Sequence, residues 1–139
     1  MKSEMHSRHS RLTSVVVGAA VLVAVAVPVS AHHSFSAEFS RDLPVSLEGE
    51  VLKMEWVNPH SWLHINVTQD DGTVETWQVE GGSPSVLMRA GWTRDSLPVG
   101  TKIKVEGFGA KDGSLRAQSR GIEFPDGSVL KLGGTTSPD

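Results

Sequence analysis

The sequence predicts an all-β domain with one short helix, arranged as an OB-fold-like five-stranded barrel. Three observations carry that expectation. Apolar and polar residues alternate in "SWLHINV" (61–67) and "VETWQVE" (74–80). Turn chemistry recurs as "QDDGT" (69–73), "KDGS" (111–114) and "PDGS" (125–128). A helix signal falls between the third and fourth strands, where such a barrel places its one helix. A small β-sandwich is the alternative, but it does not require that helix.

The chain begins with a different kind of segment. A polar stretch carrying Lys2, Arg8 and Arg11 leads into Val15–Val27, which is almost entirely Val, Ala, Leu and Gly, and Pro28 breaks the run. Val29 and Ala31 then supply small residues at the −3 and −1 positions of a cleavage site, so residues 1–31 read as a Sec-type secretory signal peptide. The apolar run is short of the ~20 residues that a membrane span needs. It has no amphipathic stripe that would suit a core helix. Cleavage after Ala31 leaves a mature chain of residues 32–139, enough for one small domain.

Loss of Lys2, Arg8, Arg11 and Glu4 takes the formal charge from −3 to −5. A mildly acidic domain lacks the basic footprint of a nucleic-acid binder. The sequence has no cysteine, hence no disulfide and no thiol for a lipid anchor, and no twin-arginine pair precedes the apolar run. These features point to a bacterial periplasmic or secreted protein that does not stay with the membrane after cleavage.

Residues 32–46, with Pro44, read as a mostly extended arm. "LEGEVLKMEWV" (47–57) changes phase: Leu47 and Val51 share one face, while Leu52, Met54 and Trp56 share the other. A long bent strand with a bulge, placed at Gly49, accommodates that switch. In 61–67 Leu63, Ile65 and Val67 face inward, with Trp62, His64 and Asn66 outward; 74–80 alternates through Trp77 and Val79. Ser83 as N-cap, Pro84 at the first helical position and Gly91 as a stop define a helix over 84–90. Strands follow over 102–110, 115–124 and 129–132, so the barrel spans 47–132 and residues 133–139 form a disordered polar tail.

Four stretches together, "AHHSFSAEF", "GEVLKMEWVNPHSWLHI", "WQVEGGSPSVLMRAGW" and "VEGFGAKDGSLRA", resemble a family of exported bacterial proteins of unknown function, DUF6152. The resemblance covers about residues 31–132, and the ordered features "HHSF", "NPH" and "GW" make it fairly specific. It implies as characteristic positions His32, His33, Phe35, Trp56, Asn58, Pro59, His60, Trp77, Glu80, Gly91 and Trp92. It implies no activity, so function must be argued from the residues.

After removal of His6 and His9 with the signal, the mature domain keeps His32, His33, His60 and His64. A histidine at a free amino terminus offers its α-amine and its ring Nδ1 to one metal ion, and a second imidazole completes a three-nitrogen site. Copper(II) suits that nitrogen-rich tetragonal set and tops the divalent affinity series. The candidate metal ligands are therefore His32, His33 and His60, with His60 the distal partner of His32. His60 and His64 would lie about 13 Å apart on an extended strand, too far to share one ion. Cleavage one residue earlier would instead place His33 third in the chain and make a four-nitrogen square-planar site.

The competing reading leaves the histidines as solvated polar residues and His60 as a turn cap. Trp62, His64 and Trp56 form a second, weaker candidate set, with Trp62 as an aromatic platform. Glu48, Glu50 and Glu55 read as a solvated strand face. No GxSxG, HExxH, P-loop or dinucleotide fingerprint is present, and no catalytic residue is assigned. Two functions follow as expectations. One is a copper-binding protein of the cell envelope, for delivery, storage or sensing. The other is a metal-free OB-fold module that binds an oligosaccharide, a peptide or a partner protein through the Trp62 face.

Overall fold

In a computed structural model the protein is described over residues 33–133. The expected signal peptide, His32 and the tail beyond Gly133 lie outside the described residues. The elements in order are α1 (His33–Glu38), β1 (Phe39–Glu55), β2 (Trp62–Thr68), β3 (Val74–Glu80), α2 (Pro84–Arg89), β4 (Lys102–Ala110), β5 (Arg116–Glu123) and β6 (Val129–Leu130). The all-β class is observed, with a helix between the third and fourth strands as the sequence predicts.

The six strands form one sheet in the order β3-β2-β1-β4-β5-β6, and β3 also pairs with β5. The hydrogen bonding therefore runs in a ring, β1-β2-β3-β5-β4 and back to β1. All pairings are antiparallel except β3–β5, where Gln78, Val79 and Glu80 lie beside Arg116, Ala117 and Gln118 in parallel. Closing a sheet on itself removes exposed edges from the paired strands.

β1 makes the ring work because it is 17 residues long and serves two partners. Its residues 44–50 pair with β4, and its residues 50–55 pair with β2. The expected extended arm is thus not separate: α1 takes up 33–38, and residues 39–46 are the first half of β1. The expected bulge exists but lies three residues later, at Leu52, with the register slipping between Val51 and Lys53. Leu52 is pushed out to 41% exposure, while Leu47, Val51 and the later Met54 and Trp56 all pack on the same core. One inserted residue reverses the parity of a period-two pattern, which explains the phase switch. Gly49 has another reason to be glycine. A Cβ there would stand 2.5 Å from the carbonyl oxygen of Asn66, where β1 passes from one partner to the other.

Inside the ring lie Leu63, Ile65 and Val67 from β2, Val79 from β3, Ile103 and Val105 from β4, and Ala117 and Ile122 from β5. α2 adds Leu87, fully buried. Its start and stop follow the sequence signals. Ser83 Oγ accepts from the amide of Val86, Pro84 opens the helix, and Gly91 adopts φ +92° beyond the Ala90 cap. The amide of Trp92 then reaches back to the carbonyl of Leu87, and that of Gly91 to Met88, the paired bonds of a Schellman close. This geometry turns Trp92 into the core at 2% exposure, where its Nε1 donates to the carbonyl of Lys131 at 2.9 Å.

Candidate functional site

The loop from β1 to β2 (residues 56–61) holds the "NPH" triplet. The Asn58–Pro59 peptide is cis, and His60 follows it just before β2 begins. Two backbone bonds tie this loop to the end of β3: Ser61 N donates to Gly82 O at 3.0 Å, and Gly81 N donates to Ser61 O at 2.9 Å. His60 is thereby set beside Glu80, and its Nδ1 contacts Glu80 Oε1. The His60 side chain is 35% exposed, whereas the Glu80 side chain is 11% exposed. A nearly buried carboxylate needs such a partner, since burial of an unpaired charge is costly. Among the described residues, Nδ1 is the ring nitrogen of His60 that contacts a carboxylate.

The outward face of β2 carries a second imidazole–carboxylate pair. His64 is 8% exposed, more buried than a plain outward position would be. Its Nε2 lies 3.2 Å from Glu55 Oε2. That contact is an ion-pair approach without the alignment of a hydrogen bond, so the buried Nε2 has no hydrogen-bond partner among the described residues. Glu55 also contacts Lys53, and the Lys53 ammonium, followed by His64, holds the Glu55 carboxyl below its ordinary value. The structure thus gives His60 and His64 to different carboxylates and does not bring them together. Of the three carboxylates expected on a solvated face, Glu48 and Glu50 are exposed and Glu55 is engaged in this pair.

Trp62 stands between the two pairs. In register it faces Glu80 on one side and Glu55 on the other, and it is half-buried. Trp56 packs partly on the core and has the Arg94 guanidinium 5.9 Å from its ring centroid. Of the weaker set, Trp62 and His64 lie two residues apart on β2, while Trp56 turns to the core. A separate open cleft of about 750 Å³ is lined by Glu48, Asn66, Lys102, Lys104, Glu123 and Phe124, among others, and contains none of these residues. Its lining alternates in charge, as a solvated strand surface does.

Four sequence candidates are thus placed and two are not. His60 contacts Glu80, His64 contacts Glu55, Trp62 is in register with both carboxylates and Trp56 packs partly on the core; His32 lies outside the described residues, and only the backbone of His33, at the start of α1, is described. Among the described residues no three His, Asp or Glu side chains converge as a metal site. Reasoning from sequence missed Glu80 as the partner of His60. Its signal is a charged residue that ends an alternating strand directly before Gly81-Gly82, at a position the ring buries.

Comparison with known proteins adds the family. No curated protein and no solved structure matches the chain. The family described as a family of unknown function, DUF6152, matches residues 19–119, which include β1 to β4, the "NPH" loop and the start of β5, and the chain belongs to that family.

Proposed function

We propose that this is an exported protein that binds copper, with the His60 ring as one ligand and His32, at a processed amino terminus, as the other. The observation that supports the reading is the contact of His60 Nδ1 with the nearly buried Glu80 carboxylate. Metal-bound histidines characteristically give their second ring nitrogen to a carboxylate, which fixes the ring and raises its basicity. A half-exposed imidazole held in this way is prepared to bind through Nε2. One imidazole is not a site by itself. The terminal amine and ring of His32 would complete a three-nitrogen set that suits copper(II), with His33 as its neighbour in sequence.

Copper titration of correctly processed protein tests the reading. His60→Ala and His32→Ala are each expected to weaken binding by at least about tenfold, the loss that removal of a metal-site group brings. His64→Ala is expected to have little effect. Copper should raise the melting temperature of the processed protein, because a ligand that binds the folded state stabilises it. It should not do so for protein extended by one residue before His32. Wild-type affinity in the His60→Ala variant would leave only a generic terminal-peptide site.

A metal-free binding module is the second reading. It is favoured by Trp62, half-buried between two carboxylates and flanked by His60 and His64. An indole with hydrogen-bonding groups at both ends suits an oligosaccharide, a peptide or a protein partner. Copper affinity that survives His60→Ala, together with ligand binding lost in Trp62→Ala, would establish it instead.

A further inference from the structure

We propose that the outward face of β2, β3 and β5 around Trp62 binds an uncharged oligosaccharide, with one sugar ring against the indole and hydroxyls held by Gln78 and Gln118. The proposal rests on the second reading above, that the Trp62 face takes a ligand, and gives that ligand its chemistry. Strand register lays the face out as a grid. Met54, Leu63, Val79 and Ala117 make one cross-strand row over β1, β2, β3 and β5, and Leu63, Val79 and Ala117 are fully buried in the core. Alternation therefore turns the rows on either side of it outward. One is Glu55, Trp62, Glu80 and Gln118; the other is Lys53, His64, Gln78 and Arg116. Three strand spacings make the grid about 14 Å long, the reach of a short oligosaccharide rather than of a single sugar.

The charges of this grid are already met. Glu80 contacts His60, Glu55 contacts Lys53 and lies 3.2 Å from His64, and Arg116 reaches Glu38 at 3.2 Å and Asp112 at 3.1 Å. A ligand with net charge would have to separate one of these pairs. The groups left over are neutral. Among the described residues, no hydrogen bond engages the side-chain amides of Gln78 and Gln118 or the indole N–H of Trp62. Gln78 is exposed, and Gln118 and Trp62 are half-buried. A side-chain amide both donates and accepts, which matches a hydroxyl that does the same. An indole adds a broad apolar surface with one donor at its edge, the complement of a sugar ring with its C–H face and hydroxyl rim. An added peptide strand has no place here, because β2, β3 and β5 are hydrogen-bonded on both edges at these positions.

Calorimetric titration of the exported protein tests this, with folding of each variant verified by its melting transition. The probes are three neutral hexasaccharides (of glucose in β-1,4 and in α-1,4 linkage, and of N-acetylglucosamine), an acidic oligogalacturonate and a basic oligolysine. At least one neutral probe is expected to bind, with the same affinity at low and high salt because no charge pair is screened. Trp62→Ala should weaken that binding at least about tenfold, as loss of a central aromatic contact does. Trp62→Phe, which keeps a ring to stack on, should retain most of it. Gln78→Ala should weaken it about fivefold, the effect of one hydrogen bond. Binding of the charged probes alone, lost in Trp62→Ala, would overturn the uncharged ligand while leaving the Trp62 face as a binding surface. Binding of a neutral probe that is unchanged in Trp62→Ala, or no binding of any probe, would overturn the proposal, and the former would remove the Trp62 face with it.

Discussion

Glu80 shows how a single residue can tie a strand to a loop. Strand alternation leaves it outside the ring, yet the neighbouring β5 and the "NPH" loop reduce its exposure to 8%. A carboxylate in that setting is tolerated because the His60 imidazole contacts it. Replacing Glu80 with Gln keeps the size but weakens the pull on the His60 N–H. Under the proposed copper role, affinity is expected to fall about tenfold, the usual lower cost of losing an outer-shell carboxylate, with little change in apparent secondary structure. A chelator-competition titration would measure it; affinity equal to wild type would reduce Glu80 to a purely structural partner. The histidines themselves were legible from sequence, but this pairing was not. Twenty residues separate His60 from Glu80, and only the β2–β3 register and the bonds of Ser61 to Gly81 and Gly82 bring them together.

Among the elements, the turns repeat one solution. In 71–73, 112–114 and 126–128 an aspartate Oδ1 accepts both the amide and the hydroxyl of the residue two places on, with a positive-φ glycine between. These hydrogen bonds hold the Asp71, Asp112 and Asp126 carboxyls below their ordinary value of 3.8, with the side-chain hydroxyl as the largest cause in each. A folded-state value lower than the unfolded one contributes stability that is fully present above the unfolded value. That contribution is lost as pH falls through the folded value. Stability should therefore hold above about pH 4 and decline below it, and chemical denaturation across that range would reveal it. Replacing Asp112 with Asn should flatten part of the decline. The α2 stop offers a second measurement: Gly91→Ala places a Cβ at φ +92° and should cost about 1 kcal/mol, read as a lower melting temperature. Turns and cap were legible because each is written within three to six consecutive residues.

For the whole molecule, the reading of residues 1–31 as a removable signal predicts that exported protein has an intact mass beginning at His32. A mass beginning at Ala31 would replace the His32–His60 arrangement with a site built on the third-position His33. The rest of the whole-molecule picture divides according to the range of the interactions. Local pattern determined the all-β class, β3 over 74–80, β4 over 102–110, the helix after Ser83 and the turns between them, because period-two alternation and turn chemistry act between near neighbours. Tertiary structure decided what local pattern cannot encode. It extended β1 through residues 39–46, since β4 offered that segment a pairing edge. It moved the bulge from Gly49 to Leu52, since two partners with different registers meet on one strand. It also buried His64, which alternation had placed in solvent. Closure through the parallel β3–β5 pair set Glu80 beside Gln118, because a ring juxtaposes residues that no sequence spacing relates.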